Sequence, residues 1–368
     1  MSLFETYKLN GLELRNRIVM APMTTWSGNS DGTISEAELA YYKIRSEGCG
    51  MVITATTYLD PYGKGFKGQF YAGDDQMLPS LSKLASAIKS GGAKAILQVF
   101  HAGRKSSVED MPDGNTRSAS DVPGNRTGEN VPVPMTKEEI NSLLDSFYDA
   151  TLRAQKAGFD GIEIHGANTY LIQQFFSPHA NIRTDEWGGS LEKRARLPLA
   201  IVKATLKAKE DIGDDAFIVG YRFSPEENHT PGITLEDTEY LVNRLCETDL
   251  DYLHISLGDF RQESLRGEPV NVLNRVLEMI KNRKPLIGVG SVFCIEDAQA
   301  LMEDGVDLVA LGRQLLVDPK TVEKWSRGER ANLYYRPDDE ALMIPKALND
   351  VIIRNHGWLP MEDEESPV

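Results

Sequence analysis

Pro285-Leu-Ile-Gly-Val-Gly290-Ser291, an amphipathic stretch over residues 296–303, and Leu308-Val-Ala-Leu-Gly312-Arg313 form the unit that decides the fold. A short apolar run ends in a glycine turn, a segment of helical period follows, and a second apolar run ends the same way. The unit recurs along the whole chain. Apolar runs occupy 17–21, 51–54, 95–100, 161–165, 217–221, 252–256, 285–289 and 308–311. Helices are predicted over 36–47, 79–90, 137–156, 192–211, 235–247, 270–281, 296–303 and 319–326. Thr234 before Leu-Glu-Asp reads as an N-cap, and Gly91-Gly92 and Gly158 as helix stops. Eight strand–helix units predict an α/β fold of the (β/α)₈ TIM-barrel type, with an open doubly wound sheet as the alternative.

Two stretches interrupt the alternation. Residues 105–135 carry Met111-Pro-Asp-Gly-Asn, Val122-Pro-Gly-Asn and Val131-Pro-Val-Pro, and read as a lid-like excursion after the third strand. Residues 332–368 form a C-terminal extension with a helix predicted near 346–355 and an acidic, solvated end. The 368 residues would allow two domains, but a barrel of this size accounts for 1–368 as one.

With 40 Lys plus Arg against 55 Asp plus Glu, the net charge of −15 opposes nucleic-acid and anionic-membrane partners. No run of 18 apolar residues and no basic-then-apolar leader is present, so neither a membrane span nor secretion is expected. Cys49, Cys246 and Cys294 are too scattered for a local iron–sulfur motif or a disulfide framework. A cytoplasmic setting is the default, and self-association as a homo-oligomer is left open.

Active sites of such barrels lie at the C-terminal strand ends. Those positions hold Thr24, Thr56, Gln98 with His101, His165 with Asn168, Arg222, Ser256, Gly290 with Ser291, and Gly312 with Arg313. No lysine stands there, against a Schiff-base aldolase, and no carboxylate or His/Asp cluster, against a catalytic metal. Neutral donors and arginine suit a polar, anionic cofactor. The turns after strands seven and eight offer backbone N–H groups at Gly290 and Ser291 and a guanidinium at Arg313, a pairing suited to phosphate. His165 and Asn168 can both donate to one ligand oxygen, with Tyr170 as a proton source, or they can cap the turn while Tyr170 packs. Arg222 is either a buried ion-pair member, with Glu163 as one internal partner, or a charge set against an anionic ligand. Gly63-Lys-Gly65-Phe-Lys-Gly68 matches the dinucleotide fingerprint but opens no helix, so it is read as a basic-aromatic loop.

Several of these segments also resemble one family. Val19-Met-Ala-Pro-Met-Thr24, Gln98-Val-Phe-His-Ala-Gly-Arg104, Gly161-Ile-Glu-Ile-His-Gly-Ala-Asn-Thr-Tyr170, Asn181-Ile-Arg-Thr-Asp-Glu-Trp-Gly-Gly-Ser190 and Leu311-Gly-Arg313 are similar to motifs of the old yellow enzyme family of flavin oxidoreductases. They run in the family's order over residues 1–335. The resemblance implies an FMN barrel in which NADH or NADPH reduces the flavin at N5 and leaves. An electron-poor small molecule such as an α,β-unsaturated carbonyl compound then takes the hydride, in ping-pong fashion. On this chain Pro22, Met23, Thr24 and Thr56 would line the flavin edge, and Gln98 its pyrimidine side. Arg222 would sit near N1 and O2, and Gly290, Ser291, Gly312 and Arg313 would take the phosphate. His165 and Asn168 would bind the acceptor's carbonyl oxygen, Tyr170 would protonate, and Trp26 would line the substrate pocket.

Departures are visible too. Thr24 stands where one branch of the family has a flavin-tuning cysteine, Trp26 where that branch has tyrosine, and Lys193 where asparagine is common. No terminal arginine and no second nucleotide module with a cysteine cluster follow the barrel. The alternatives are a flavin-bound electron-transfer subunit and a sugar-phosphate isomerase or lyase barrel, the latter lacking a base at the barrel mouth.

Overall fold

The computed structural model describes residues 2–124 and 130–362. Eight parallel strands close on themselves: β1 (Ile18–Met20), β2 (Met51–Ile53), β3 (Lys94–Phe100), β4 (Gly161–Gly166), β5 (Ile218–Phe223), β6 (Tyr252–Ile255), β7 (Leu286–Val289) and β8 (Leu308–Leu311). Each pairs with the next, and β8 returns to β1 through Val309↔Ile18, Ala310↔Val19 and Leu311↔Met20, so the barrel leaves no open edge. The open doubly wound alternative is thereby excluded.

Outside lie α1 (Glu36–Ser46), α2 (Leu78–Ser90), α3 (Lys137–Lys156), α4 (Arg196–Ile212), α5 (Leu235–Cys246), α6 (Val272–Ile280), α7 (Ile295–Asp304) and α8 (Thr321–Ser326). Thr234 caps α5 as expected, accepting from Asp237 N while the Asp237 carboxylate reaches back to Thr234. The segment expected as one helix over 192–211 is two: Leu191–Arg194, capped by Ser190, closes at Ala195 before α4 begins. Two short helices, Leu171–Phe176 after β4 and Arg313–Val317 after β8, span too few turns to show a period in sequence.

The strand period of two splits the interior. Val19, Ile53, Ile96, Ile218, Ile287 and Leu308 fill the barrel, and an N-terminal hairpin (Tyr7–Leu9 with Leu12–Leu14) adds Leu9, Leu12 and Leu14 to the same cluster. Toward the strands' C-terminal ends the same inward face turns polar, and the site is built there.

In the excursion, Arg117–Ser118 pairs with Val133–Pro134, and Ser118 Oγ donates to Gln174 of the Leu171–Phe176 helix at 3.0 Å. Residues 125–129 of that excursion, and the acidic end from 363 on, lie outside the described residues. The C-terminal extension docks on α1, where fully buried Arg45 donates to Leu342 O at 2.8 Å, and is tied to itself by Tyr335 OH donating to Asn349 at 2.7 Å. Its helix is Lys346–Arg354.

Candidate active site

Strand register brings the inward polar residues to two levels. Gln98, Glu163, Gly220 and Tyr252 share one, through Glu163↔Gln98, Glu163↔Gly220 and Gly220↔Tyr252. His165, Arg222 and His254 share the next. Gly220 is required here, since a Cβ on it would meet the Tyr252 ring at 2.0 Å. The space lets Tyr252 OH reach the fully buried Glu163 at 3.1 Å, where Gln98 Nε2 also donates at 2.7 Å and His254 Nδ1 lies at 2.9 Å. Burial alone would raise the Glu163 pKa, but His254, Arg222 and Gln98 more than offset it and hold the carboxyl below its ordinary value. Burial keeps His254 below its own ordinary value despite Glu163, and since a carboxylate can only accept, the His254 Nδ1 is the donor of the pair.

Arg222 does not form the ion pair with Glu163 that the inward-face pattern offers. Its NH2 group instead donates to Ser256 Oγ at 3.1 Å, and the carboxylate acts on it only through the field. Three buried atoms at these levels, Gln98 Oε1, Arg222 Nε and His254 Nε2, have no protein partner among the described residues. In a packed interior such atoms call for a ligand.

Just above lies His165, nearly fully buried. Burial, then Arg222, press its pKa from 6.5 to about 3, so it is neutral at any working pH. Its Nδ1 accepts from Ala167 N at 3.3 Å, which leaves the proton on Nε2 as a donor. Asn168 and Thr169 follow with φ of 58° and 63°, two consecutive non-glycine residues in left-handed conformation. Neighbouring side chains over-determine this strained turn. Ser224 accepts from Asn168 N at 2.9 Å, Gln173 from Thr169 N at 2.8 Å, and Gln174 donates to Thr169 O at 2.8 Å. Lys105 donates to Asn168 O at 3.1 Å.

The turn delivers Tyr170, whose ring meets Phe100 at 4.5 Å, His165 at 5.3 Å and Phe66 at 6.1 Å. Lys105 Nζ lies 4.9 Å over the same ring. Phe66 belongs to the Gly63–Gly68 loop: Gly65 N and Phe66 N both donate to Gln69, so the loop folds back and no helix begins until Leu78 apart from a single 3₁₀ turn. Trp26 packs edge-on against Phe66 at 6.2 Å.

A cavity of about 390 Å³ opens between the ends of β1, β5, β7 and β8. Pro22, Met23, Arg222, Gly290, Ser291, Gly312 and Arg313 line it, with Trp358 of the C-terminal extension. Arg313 donates to Ser291 Oγ at 2.7 Å, and Ser291 to Gly258 O at 2.9 Å. A Cβ at Gly290, where φ is 130°, would lie 2.8 Å from Phe260 N, so glycine is needed for this close approach. A larger cavity of 550 Å³ between α1 and residues 337–345 is walled by apolar and acidic side chains, which suits no anion.

The remaining expected residues are less exposed to a ligand's polar edge. Thr24 is half-buried beside Met23, and Thr56 is buried with its hydroxyl accepting from Gln69 Nε2 at 3.0 Å. Sequence reasoning missed the relevance of Phe100, Lys105, Ser224 and Trp358. Ser256 was read as a strand-end residue with no task, and only its place on the Tyr252–His254 face pointed inward. Among the described residues no three His, Cys, Asp or Glu are grouped to hold a metal ion.

These donors fit FMN. The orphaned Gln98 and Arg222 atoms suit the hydrogen-bonding edge of a flavin ring, and the Gly290–Ser291–Arg313 corner suits its phosphate.

The family description "NADH:flavin oxidoreductase / NADH oxidase family" matches residues 2–332. The chain is 46% identical over 367 residues to the probable NADH-dependent flavin oxidoreductase YqiG of Bacillus subtilis, covering 98% of each. It is 41% identical to the NADH:fumarate oxidoreductase of Klebsiella pneumoniae over 92% of this chain, but spans only 37% of that protein. The NADH:acrylate oxidoreductase of Vibrio harveyi is 42% identical over 93% of this chain, which spans 35% of it. Among solved structures, morphinone reductase superposes with a TM-score of 0.78 at 27% identity, covering 93% of this chain and 92% of that one. Among the described residues no helix is long and apolar enough to cross a membrane. The chain therefore belongs to the NADH:flavin oxidoreductase family of old yellow enzyme barrels, and it is an FMN-dependent NAD(P)H oxidoreductase.

Proposed function

We propose that the protein reduces the activated carbon–carbon double bond of an α,β-unsaturated carbonyl compound, with NADH or NADPH as donor, in a ping-pong sequence. One observation carries the reading: a neutral imidazole donor, an amide on a strained turn and a phenol converge over the buried Arg222 level. Pro22, Met23, Thr24, Thr56, Gln98, Arg222, Gly290, Ser291, Gly312 and Arg313 would hold FMN, which when bound supplies hydride chemistry at N5. His165 Nε2 and the Asn168 amide would donate to the acceptor's carbonyl oxygen and stabilise the negative charge that develops there. Because His165 stays neutral, it polarises that oxygen without surrendering a proton to it. Tyr170 would give its phenolic proton to the α-carbon, and Lys105 over its ring favours the phenolate left behind. Trp26 and Phe66 would bound the acceptor, and in this single barrel unit Lys105, at the start of the excursion, would stand at the mouth beside the Asn168 turn.

The fumarate- and acrylate-named relatives support this class, since both names denote electron-poor alkenes conjugated to a carbonyl group. The test is an anaerobic incubation of the FMN-loaded protein with cyclohexenone and NADH deuterated at C4. One deuterium at the β-carbon, with the α-hydrogen drawn from solvent, supports the reading; the opposite placement refutes it.

A second reading is favoured by the short span of this chain against the same two relatives. In it the barrel passes electrons to a partner module that handles the acceptor. Turnover of cyclohexenone by the isolated chain decides against it; NADH-driven flavin bleaching without turnover decides for it.

A further inference from the structure

Hydrogen-bond polarity at the barrel mouth runs in one direction. Arg222 is a guanidinium and can only donate, and its NH2 group lies 3.1 Å from Ser256 Oγ. The serine therefore uses a lone pair on Arg222, and its single proton is free for another acceptor. That acceptor is Asn168 Oδ1, at 2.9 Å. The Ser224 hydroxyl adds a weaker contact to the same oxygen at 3.5 Å. With Oδ1 engaged, the donor end of the Asn168 amide, Nδ2, is the end left over, and it meets no protein acceptor among the described residues. The reversed amide would aim two donors at Ser256 and leave the hydroxyl proton without an acceptor. It would also present an oxygen to the ligand's oxygen.

We propose that Ser256 is a positioning residue: its hydroxyl relays the fixed polarity of Arg222 to Asn168 and holds that amide with its NH2 group toward the acceptor's carbonyl. The relay ties a cation on the flavin side to a donor on the acceptor side. Each bond in it polarises the next, so the Asn168 amide becomes a stronger donor than one held by solvent. Fold and relay depend on each other. Ser256 stands on the same alternating face as Tyr252 and His254, one residue past β6, while Asn168 reaches it only because its backbone is left-handed.

The inference rests on the proposed role of Asn168 as a carbonyl donor, and the test separates the two. The dissociation constant of 4-hydroxybenzaldehyde, a phenol that presents an anionic oxygen like an enolate, is measured by flavin difference spectra. The FMN-loaded wild type is compared with Ser256→Ala, Ser256→Thr, Asn168→Ala and the Ser256→Ala/Asn168→Ala double variant. The relay predicts about tenfold weaker binding for Ser256→Ala, restoration by Ser256→Thr, and no further loss in the double variant beyond Asn168→Ala. If Asn168→Ala weakens the probe and Ser256→Ala does not, the relay is wrong and the carbonyl-donor reading stands. Equal losses from Ser256→Ala in both backgrounds place its effect elsewhere and also overturn the relay. If Asn168→Ala has no effect, the donor reading itself falls and the relay falls with it.

Discussion

Gln98 Nε2 donates to Glu163 Oε1 at 2.7 Å, and the Oε1 of the same amide has no protein partner among the described residues. A carboxylate can only accept, so Glu163 dictates which end of Gln98 is left to accept from a ligand N–H. The buried carboxylate also opposes the positive field of Arg222. Glu163→Gln removes both effects. The two-electron reduction potential of the bound flavin should rise by roughly 30 mV, the equivalent of about 1.4 kcal/mol, because a nearby negative charge is gone. Spectroelectrochemical titration measures it. An unchanged potential, with FMN content intact, would show that Glu163 does not act on the flavin.

The corner proposed to hold phosphate predicts a selective loss. Arg313→Ala should weaken FMN roughly tenfold or more while leaving riboflavin affinity within about twofold, since a charge-assisted contact to phosphate is removed and the ring contacts are not. Fluorescence titration of apoprotein with each flavin checks this. Equal losses for both would mean that Arg313 supports the fold of the turn instead of the phosphate.

Acid stability should carry the mark of His165. Its pKa is near 6.5 in the unfolded chain and about 3 in the folded one. Between those values the unfolded chain holds the extra proton, so stability falls as pH falls. This one group contributes up to about 1.4 kcal/mol per pH unit. His101 and His254, also depressed by burial, act in the same direction. Buried Glu38, raised from 4.5 to about 7, acts oppositely: its contribution is present below 4.5 and is lost as pH rises through 7. Urea unfolding at pH 5 and 6, at fixed free FMN, should show a shallower acid loss in His165→Asn than in the wild type. Equal slopes would mean that His165 is protonated in the folded protein.

Much of this was legible in the sequence. The period of apolar runs marks all eight strands within a few residues, because strands buried on both faces leave continuous apolar runs that glycine turns interrupt. That Gly290-Ser291 and Gly312-Arg313 come together at one corner was legible because each part is local and the two strand ends are neighbours. The hidden parts depend on register across the barrel. That Gln98 meets Glu163, or that Arg222 turns to Ser256 and not to Glu163, follows from pairings such as Glu163↔Gln98 and Arg222↔His254, which no local spacing encodes. Phe66 was hidden differently, inside a glycine-rich loop whose path is set by Gln69.

The most direct test of the central claim is rapid mixing of Tyr170→Phe and wild-type protein in separate half-reactions, first with NADH and then, after anaerobic reduction, with cyclohexenone. Removing the phenol should slow the cyclohexenone step by roughly 100-fold or more and change the NADH step by less than about threefold. Equal slowing of both steps, or of neither, would contradict the assignment of Tyr170 as the proton donor to an electron-poor alkene.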